Sequence, residues 1–153
     1  MINLFEDQEI YLGIVGSREI KDLNLVYIAF GQSPWCNTAI NKKLIQIISG
    51  GARGADTLAE KFAKELGINF LPFDADWDNI NVPGALVRYR NGKPYNVRAG
   101  FDRNQKLVDY LASKPNNSGK LIALLSKDHK CNGTKDTIRR AKELEIQTFI
   151  KTF

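Results

Sequence analysis

The sequence contains little of what metal centres and disulfide scaffolds are made of. Its two cysteines, Cys36 and Cys131, are far apart and form no CxxC pair, and His129 is its only histidine. Isolated cysteines of this kind are typical of reduced cytosolic proteins, so we expect neither a disulfide nor a metal site. A zinc site in particular would need an unusual set of ligands.

Long apolar runs are also missing, and so is the pattern of a secretory signal. None of the apolar stretches approaches the roughly 20 residues of a membrane-spanning helix. Residues 1–10, MINLFEDQEI, carry acids where a signal peptide has a basic flank and an apolar segment. The sequence therefore predicts a cytoplasmic protein with no membrane partner.

The composition is that of a globular protein with a basic bias. A length of 153 residues favours one domain, residues 1–153. The net charge of +5 suits partners that carry phosphate, although many proteins without such partners are equally basic.

Apolar strands alternate with amphipathic helices along the chain. The clearest helix is ADTLAEKFAKELG (55–67), where apolar residues recur at helical spacing and Gly67 supplies a terminating glycine. Residues 33–43 fit either a loop or a short helix, and 74–98 form a long loop. The remaining elements are strands at 10–16, 44–49, 68–73, 120–126 and 146–153, and helices at 22–32, 99–113 and 133–145. This alternation favours a three-layer α/β fold with a mainly parallel five-stranded sheet.

Three short motifs follow predicted strands: GSR (16–18), SGGARGAD (49–56) and SKDHKCNGTKD (126–136). The carboxyl ends of parallel strands meet at one edge of a sheet, so we expect the motifs to converge. Glycine-rich turns expose backbone N–H groups, and a helix N-terminus adds about half a positive charge, which suits an anion such as phosphate. The spacing is neither GxGxxG nor Walker A, so strand-to-helix packing is the alternative explanation for the glycines.

The glycines of these motifs have separate predicted tasks. Gly16 makes the first turn, Gly50 and Gly51 allow close approach and positive φ, and Gly54 lets a helix start tightly against the loop. Either Asn132 or Thr134 is expected to cap the last helix.

The polar side chains add candidate ligand contacts. Ser17 can hydrogen-bond a phosphate oxygen, and the guanidinium groups of Arg18 and Arg53 can pair with phosphate. Asp56 either caps its helix or binds a ribose hydroxyl. Trp77 is either a ring that stacks on a base or a plug at the rim of the core.

The run IVGSR…SGGARGADTLAEKFAKELGI, followed by ADW (75–77), AG..RN (99–104) and a late GT, resembles the SLOG superfamily, and more narrowly its small YspA-like members. The likeness spans about residues 11–150. The core also resembles the DNA-processing protein A (DprA/Smf) family and, more distantly, the Lonely Guy phosphoribohydrolases. The resemblance implies a Rossmann-like fold and a nucleotide or nucleotide-derived ligand, with no other cofactor required. Relatives in this superfamily often dimerise, so it also allows a homo-oligomer.

Motifs and resemblance together predict a ligand-binding set drawn from all three turns and the helix of the RN pair. The set is Gly16, Ser17, Arg18, Ser49, Gly50, Gly51, Arg53, Gly54, Asp56, Trp77, Arg103, Asn104, Gly133 and Thr134. Lonely Guy enzymes carry a catalytic glutamate where this sequence has Thr137, and the PGG before their GT is replaced by Lys130-Cys131-Asn132. Asp136 is one residue early, so on a helix it points about 100° away. Candidate catalytic residues are therefore Asp56, Arg103 and Asp136.

Residues 85–98, ALVRYRNGKPYNVR, predict a β-hairpin insertion, because Asn91-Gly92 suits a two-residue type I′ turn. The register puts four side chains on one face, in the opposed pairs Arg88–Tyr95 and Arg90–Lys93. This face is interpreted as a nucleic-acid contact with Tyr95 stacked on a base, a lid, an oligomer contact, or a merely solvated surface.

Three functions stay open. Binding of a nucleotide-type ligand, as a sensor or sequestering module, needs the turns and arginines but no acid. Hydrolysis at the N-glycosidic bond or phosphate needs a carboxylate facing the sugar, for which Asp56, Asp128 and Asp136 are candidates. Single-stranded DNA binding of the DprA kind would use the arginines and the hairpin along the backbone. The missing glutamate favours binding over cleavage.

Overall fold

In the computed structural model, residues 8–37, 43–50 and 54–153 are described, and they form seven strands and four α-helices. The strands are β1 (Ile10–Gly16), β2 (Leu44–Gly50), β3 (Asn69–Phe73), β4 (Val87–Arg90), β5 (Lys93–Asn96), β6 (Gly119–Leu125) and β7 (Gln147–Thr152). The helices are α1 (Leu23–Gln32), α2 (Ala55–Leu66), α3 (Val97–Ala112) and α4 (Asn132–Glu143). Gly51, Arg53 and part of the 33–43 segment lie outside the described residues, so the predictions made for them stay predictions.

Five strands form one parallel sheet in the order β3-β2-β1-β6-β7. The predicted three-layer α/β fold with a parallel five-stranded sheet is confirmed, and this strand order is Rossmann-like. The chain runs outward from β1 to β3 on one side and then returns to place β6 and β7 on the other. The order reverses between β1 and β6, and in such sheets a crevice opens at the carboxyl ends beside the reversal.

Two apolar clusters cover the two faces of the sheet. Helices α1 and α2 pack on one face and α3 and α4 on the other. Along β6, Ile122 and Leu124 belong to the first cluster, whereas Leu121 and Ala123 belong to the second. This period of two, with apolar residues on both sides, is what a strand buried between two helical layers requires.

The helix ends near the sheet are set by local chemistry. The side chain of Asp22 accepts a hydrogen bond from the backbone N–H of Asn24 at 3.0 Å and so caps α1. Gly67 ends α2 in the left-handed region, with φ 68°, as the sequence predicted.

Strands β4 and β5 form the predicted hairpin, as a separate two-stranded antiparallel sheet. Arg88 opposes Tyr95 and Arg90 opposes Lys93, in the register that the sequence predicted. Asn91 and Gly92 both have positive φ, at 53° and 76°, as a type I′ turn demands.

Asn96 anchors this hairpin to the third helix. Its side-chain oxygen accepts hydrogen bonds from the N–H groups of Arg98, at 3.1 Å, and Leu86, at 3.0 Å. Its amide nitrogen donates to the carbonyl of Asn79 at 3.1 Å. Because Asn96 is the N-cap, α3 begins at Val97, two residues before the predicted start.

Candidate functional site

A cavity of about 520 Å³ lies at the carboxyl edge of the sheet, beside the reversal of strand order. Its walls come from the turn after β1, the end of β2, the first turns of α2 and α4, one side of α3, and the hairpin. The predicted site residues that line it are Gly16, Ser17, Arg18, Gly50, Asp56, Trp77, Arg90, Tyr95, Arg103, Asn104, Gly133 and Thr134. The structure therefore brings the three strand-end motifs together, as the parallel topology requires.

Two glycines in these motifs make room for protein backbone rather than for a ligand. A Cβ at Gly54 would lie 2.7 Å from both the Cα of Arg18 and the carbonyl oxygen of Ser17, and Gly54 has φ 82°. A Cβ at Gly16 would lie 2.6 Å from the Cβ of Ala55. The turns after β1 and β2 are thus packed directly on one another, which supports the packing explanation for these two residues.

Gly50 makes room for an arginine. A Cβ there would lie 2.5 Å from Nη1 of Arg103. The positive φ predicted for Gly50 is wrong, because the residue still belongs to strand β2. The close approach predicted at Gly50 does occur, but the group that approaches is the Arg103 side chain and not a ligand.

The Arg103 side chain is held across the end of the sheet. Nε donates to Oδ1 of Asn104 at 3.0 Å, and Nη1 donates to the carbonyl of Phe73 at 3.4 Å. Burial lowers the pKa of Arg103, and the negative charges of Asp56 and Asp74 act against that shift. A guanidinium fixed in this way presents a positive charge to the cavity without having to reorganise.

Asp56 is buried beneath this arginine. Its Oδ1 lies 2.8 Å from the hydroxyl of Ser49, which also lies 2.5 Å from the carbonyl of Ile14. Asp56 lines the cavity, but Ser49 is fully buried and its hydroxyl is engaged within the protein. Ser49 therefore supports Asp56 instead of meeting a ligand.

Asn104 joins the third and fourth helices. It accepts from Arg103 and donates from Nδ2 to the carbonyl of Gly133, at 3.3 Å, and to Oδ2 of Asp136, at 3.1 Å. This buried amide uses both ends of its side chain and holds the start of α4 against α3. Asn104 therefore holds the cavity wall in place and adds little hydrogen-bonding capacity for a ligand.

The carboxylate of Asp136 is committed to neighbouring arginines. Arg140 donates to it at 2.7 Å and Arg139 at 2.9 Å, in addition to Asn104. Burial raises the pKa of Asp136, but these hydrogen bonds outweigh that effect and hold the pKa below its usual value. Asp136 does not line the cavity, so its geometry does not favour the predicted catalytic role.

The first turn of α4 carries no side-chain cap. The predicted caps, Asn132 and Thr134, are wrong, because the helix begins at Asn132 and Cys131 occupies the N-cap position in the left-handed region, with φ 53°. The Cys131 side chain makes no capping hydrogen bond. Asn132, Gly133 and Thr134 all line the cavity, so the positive end of this helix dipole faces it.

Aromatic rings form another part of the cavity wall. The Trp77 ring packs on Gly100, where a Cβ would lie 2.5 Å from its Cη2, and meets Tyr95 edge-on with ring centroids 6.4 Å apart. The guanidinium of Arg90 lies 5.3 Å from the Tyr95 ring centroid. Arg88 and Lys93 are exposed and lie outside the cavity lining, so only half of the predicted hairpin face reaches the site.

Glu19 and His129 were missed as site residues. The Ser17 hydroxyl donates to the Glu19 carboxylate, and this hydrogen bond is the main reason that the pKa of Glu19 lies below its usual value. Nε2 of His129 lies 3.9 Å from Oε1 of Glu19, and its Nδ1 lies 2.8 Å from the Ser126 hydroxyl. Only their positions in the sequence could have indicated them, because Glu19 follows GSR and His129 lies within SKDHKCNGTKD.

Within residues 8–37, 43–50 and 54–153, no helix is long and apolar enough to cross a membrane. In the same residues, no three His, Cys, Asp or Glu side chains are grouped so that they could hold a metal ion. Asp128, the remaining candidate carboxylate, does not line the cavity.

No protein-family model matches the sequence, and no curated protein matches it significantly. The likeness to SLOG proteins therefore stays a prediction from the motifs.

Proposed function

We propose that the cavity at the carboxyl edge binds a nucleotide or nucleotide-derived anion, with the phosphate near the turns and the base near Trp77. One observation carries the proposal: the uncapped first turn of α4 shares a cavity with the fixed Arg103 guanidinium and an aromatic wall. A small molecule that carries both an anionic group and a flat ring system could contact the positive groups and the aromatic wall at once.

The charge of the lining supports an anionic ligand. Arg18, Arg90, Arg103 and Lys130 line the cavity, whereas Glu19 and Asp56 are its acidic residues among the described lining. Asp56 faces the charge of Arg103, so the excess positive charge is on exposed side chains and the helix end. Backbone N–H groups at a helix N-terminus suit phosphate oxygens because they combine donors with a favourable dipole.

The size and the apolar wall support the second half of the ligand. A volume of about 520 Å³ lies in the range of roughly 300–1,000 Å³ that small-molecule sites occupy. Trp77, Tyr95 and Phe101 form the aromatic part of the cavity wall. Aromatic faces stack on every nucleobase, so this wall selects a flat ring without naming the base.

Calorimetric titration of the purified protein with nucleoside mono- and diphosphates tests the proposal. We expect saturable binding that weakens by about tenfold in Arg18→Ala, because one charged contact to phosphate is worth about 1.5 kcal/mol or more. Arg88→Ala is the matched control, since Arg88 is exposed and lies outside the cavity lining. Absence of binding at millimolar nucleotide would refute the proposal.

A hydrolase is the second candidate, and the position of Glu19 favours it. Its carboxylate faces the cavity, is oriented by Ser17, and is ionised at neutral pH. Such a base could take a proton from water as the water oxygen bonds to the ribose C1′ and the C1′–N bond breaks. The nucleobase then leaves with the proton that Glu19 took from water, and ribose phosphate is the second product. Chromatography of a nucleoside monophosphate incubated with wild type and with Glu19→Gln decides this: product from wild type alone would support cleavage, and none from either leaves binding as the function.

A further inference from the structure

A second cavity, of about 380 Å³, lies at the opposite edge of the sheet, where β6 and β7 begin. Its lining includes the aromatic rings of Trp35 and Phe149, the aliphatic Ile10, and the polar residues Lys120 and Gln147. It shares no residue with the cavity at the carboxyl edge. Nothing in the proposed nucleotide site explains why a lysine is buried here.

Lys120 is the second residue of β6, between Leu12 of β1 and Gln147 of β7. Its exposed fraction is 5 %, which is rare for lysine. Nζ donates one hydrogen bond, to Oε1 of Gln147 at 2.6 Å. Among the described residues no other acceptor and no carboxylate lies within bonding distance of Nζ, so two of its three N–H groups have no protein partner there.

Gln147 adds a donor to this lining, whereas Gln8 and Thr148 use donors within the protein: the Gln8 amide nitrogen donates to the carbonyl of Asn116. The carboxamide oxygen of Gln147 is used by Lys120, which leaves the Gln147 NH₂ group as a donor. The Thr148 hydroxyl donates to the carbonyl of Ile146 at 3.0 Å. No acidic residue belongs to the described part of the lining. The cavity thus combines one buried cation, an adjacent amide donor, the neutral polar side chains of Gln8 and Thr148, and apolar residues.

We propose that this second cavity binds a small organic acid with a flat apolar body, whose carboxylate is held by Lys120 and Gln147 and whose body contacts Trp35 and Phe149. A buried cation with a neutral partner gains most from an anion that can accept its free N–H groups. A carboxylate brings one negative charge for the one ammonium. Burial lowers the pKa of Lys120, so an anion bound beside the ammonium would offset the cost of burying its charge.

The two tryptophans make the test specific, because Trp35 lines this cavity and Trp77 lines the other. In a Trp77→Phe variant the tryptophan fluorescence reports Trp35 alone. Titration with benzoate, at neutral pH, is expected to give a saturable change. Benzamide, which has the same shape without the charge, is expected to bind at least about tenfold more weakly, because it loses the charged hydrogen bonds.

Lys120→Met in the same background is expected to lose the preference for benzoate over benzamide, and Lys127→Met, at an exposed lysine, to retain it. Equal affinity for the two probes in the Trp77→Phe protein, or unchanged benzoate affinity in Lys120→Met, would overturn the proposal. So would the absence of a saturable signal up to about 50 mM benzoate, which corresponds to only about 2 kcal/mol of binding. If Lys120→Met does not fold, the benzoate titration is repeated at rising pH. Affinity should then fall as Lys120 loses its proton, and constant affinity would count against the site.

Nucleotide binding is followed separately, through Trp77 in a Trp35→Phe variant. Failure of one site is thereby distinguished from failure of the other.

Discussion

At the carboxyl edge of the sheet the buried charges have charged or multiple hydrogen-bonded partners, whereas at the amino edge Lys120 has one neutral partner among the described residues. Asp136 receives hydrogen bonds from two arginines and an amide, and Arg103 faces Asp56. Turns and helix starts at the carboxyl edge bring many side chains together, and these supply the partners. Removing a charge should therefore destabilise the protein at the first edge and stabilise it at the second.

Gly54→Ala should have the largest effect. The added Cβ would meet the backbone of Ser17 and Arg18, which cannot swing away, at a residue with φ 82°. Left-handed strain and overpacking together predict a loss of about 2–4 kcal/mol in the free energy of unfolding. Urea denaturation monitored by circular dichroism measures it.

Gly133→Ala is the matched control, because a Cβ there meets nothing within 4 Å and the residue lies in the first turn of α4. We expect its stability to be unchanged or higher by up to about 1 kcal/mol. Equal losses in the two variants would mean that the packing of the two turns does not limit stability.

Asp136→Asn should destabilise the protein by about 2 kcal/mol at neutral pH, since charged hydrogen bonds to Arg139 and Arg140 are lost. The pKa of Asp136 is lowered by folding, so its contribution is present above the ordinary pKa of 3.8 and is lost as pH falls through the folded pKa. Unfolding measured from neutral pH down to acid should therefore show wild type and variant converging. Asp102→Asn, at an exposed pair with Arg98, should change stability by less than about 0.5 kcal/mol. A similar loss in both variants would contradict the prediction.

Lys120→Met should have the opposite sign, with a gain of about 1 kcal/mol, because an apolar side chain of similar length replaces a buried cation. Folding lowers the pKa of Lys120, so between its folded pKa and the ordinary 10.5 the unfolded chain binds more protons. The contribution of Lys120 to the free energy of unfolding should therefore become more favourable as pH rises through that window. The Lys120→Met variant should lack this increase. Denaturation without added ligand, at pH 7 and at mildly alkaline pH, checks both points. A destabilised Lys120→Met would remove the contrast between the edges.

The smallest effect concerns the two halves of the hairpin face, of which only the one with Arg90 lines the cavity. Arg90→Ala should weaken nucleotide binding by about fivefold, through the loss of one cation above Tyr95 in the cavity wall. Arg88→Ala should leave it unchanged. The same pair decides on nucleic acid: if Arg88→Ala instead weakens oligonucleotide binding and flattens its salt dependence, the single-stranded DNA alternative gains support.

Local signals predicted the parts of the fold that local chemistry determines. Asn91-Gly92 defined the hairpin register because a two-residue loop leaves no other pairing, and Gly67 marked the end of α2. The start of α4 could not be predicted in the same way, because the left-handed conformation of Cys131 has no signature in the sequence.

Long-range contacts explain what was missed in the site. Gly50 lies against Arg103, which belongs to a helix far away in the sequence. From the sequence alone, Gly50 could therefore not be distinguished from a glycine that clears space for a ligand. Glu19 has no motif of its own and enters the site through a hydrogen bond with Ser17. The convergence of the three turns was predictable, because parallel topology alone requires it.

The contact between the turns after β1 and β2 also has an evolutionary consequence. Gly54 lies against the backbone of Ser17 and Arg18, and Gly16 lies against Ala55. Neither turn can acquire a larger residue at these points while the other stays as it is. Homologous sequences should therefore change the two motifs jointly, so that the GSR and SGGARGAD stretches are inherited as one unit although 30 residues or more separate them.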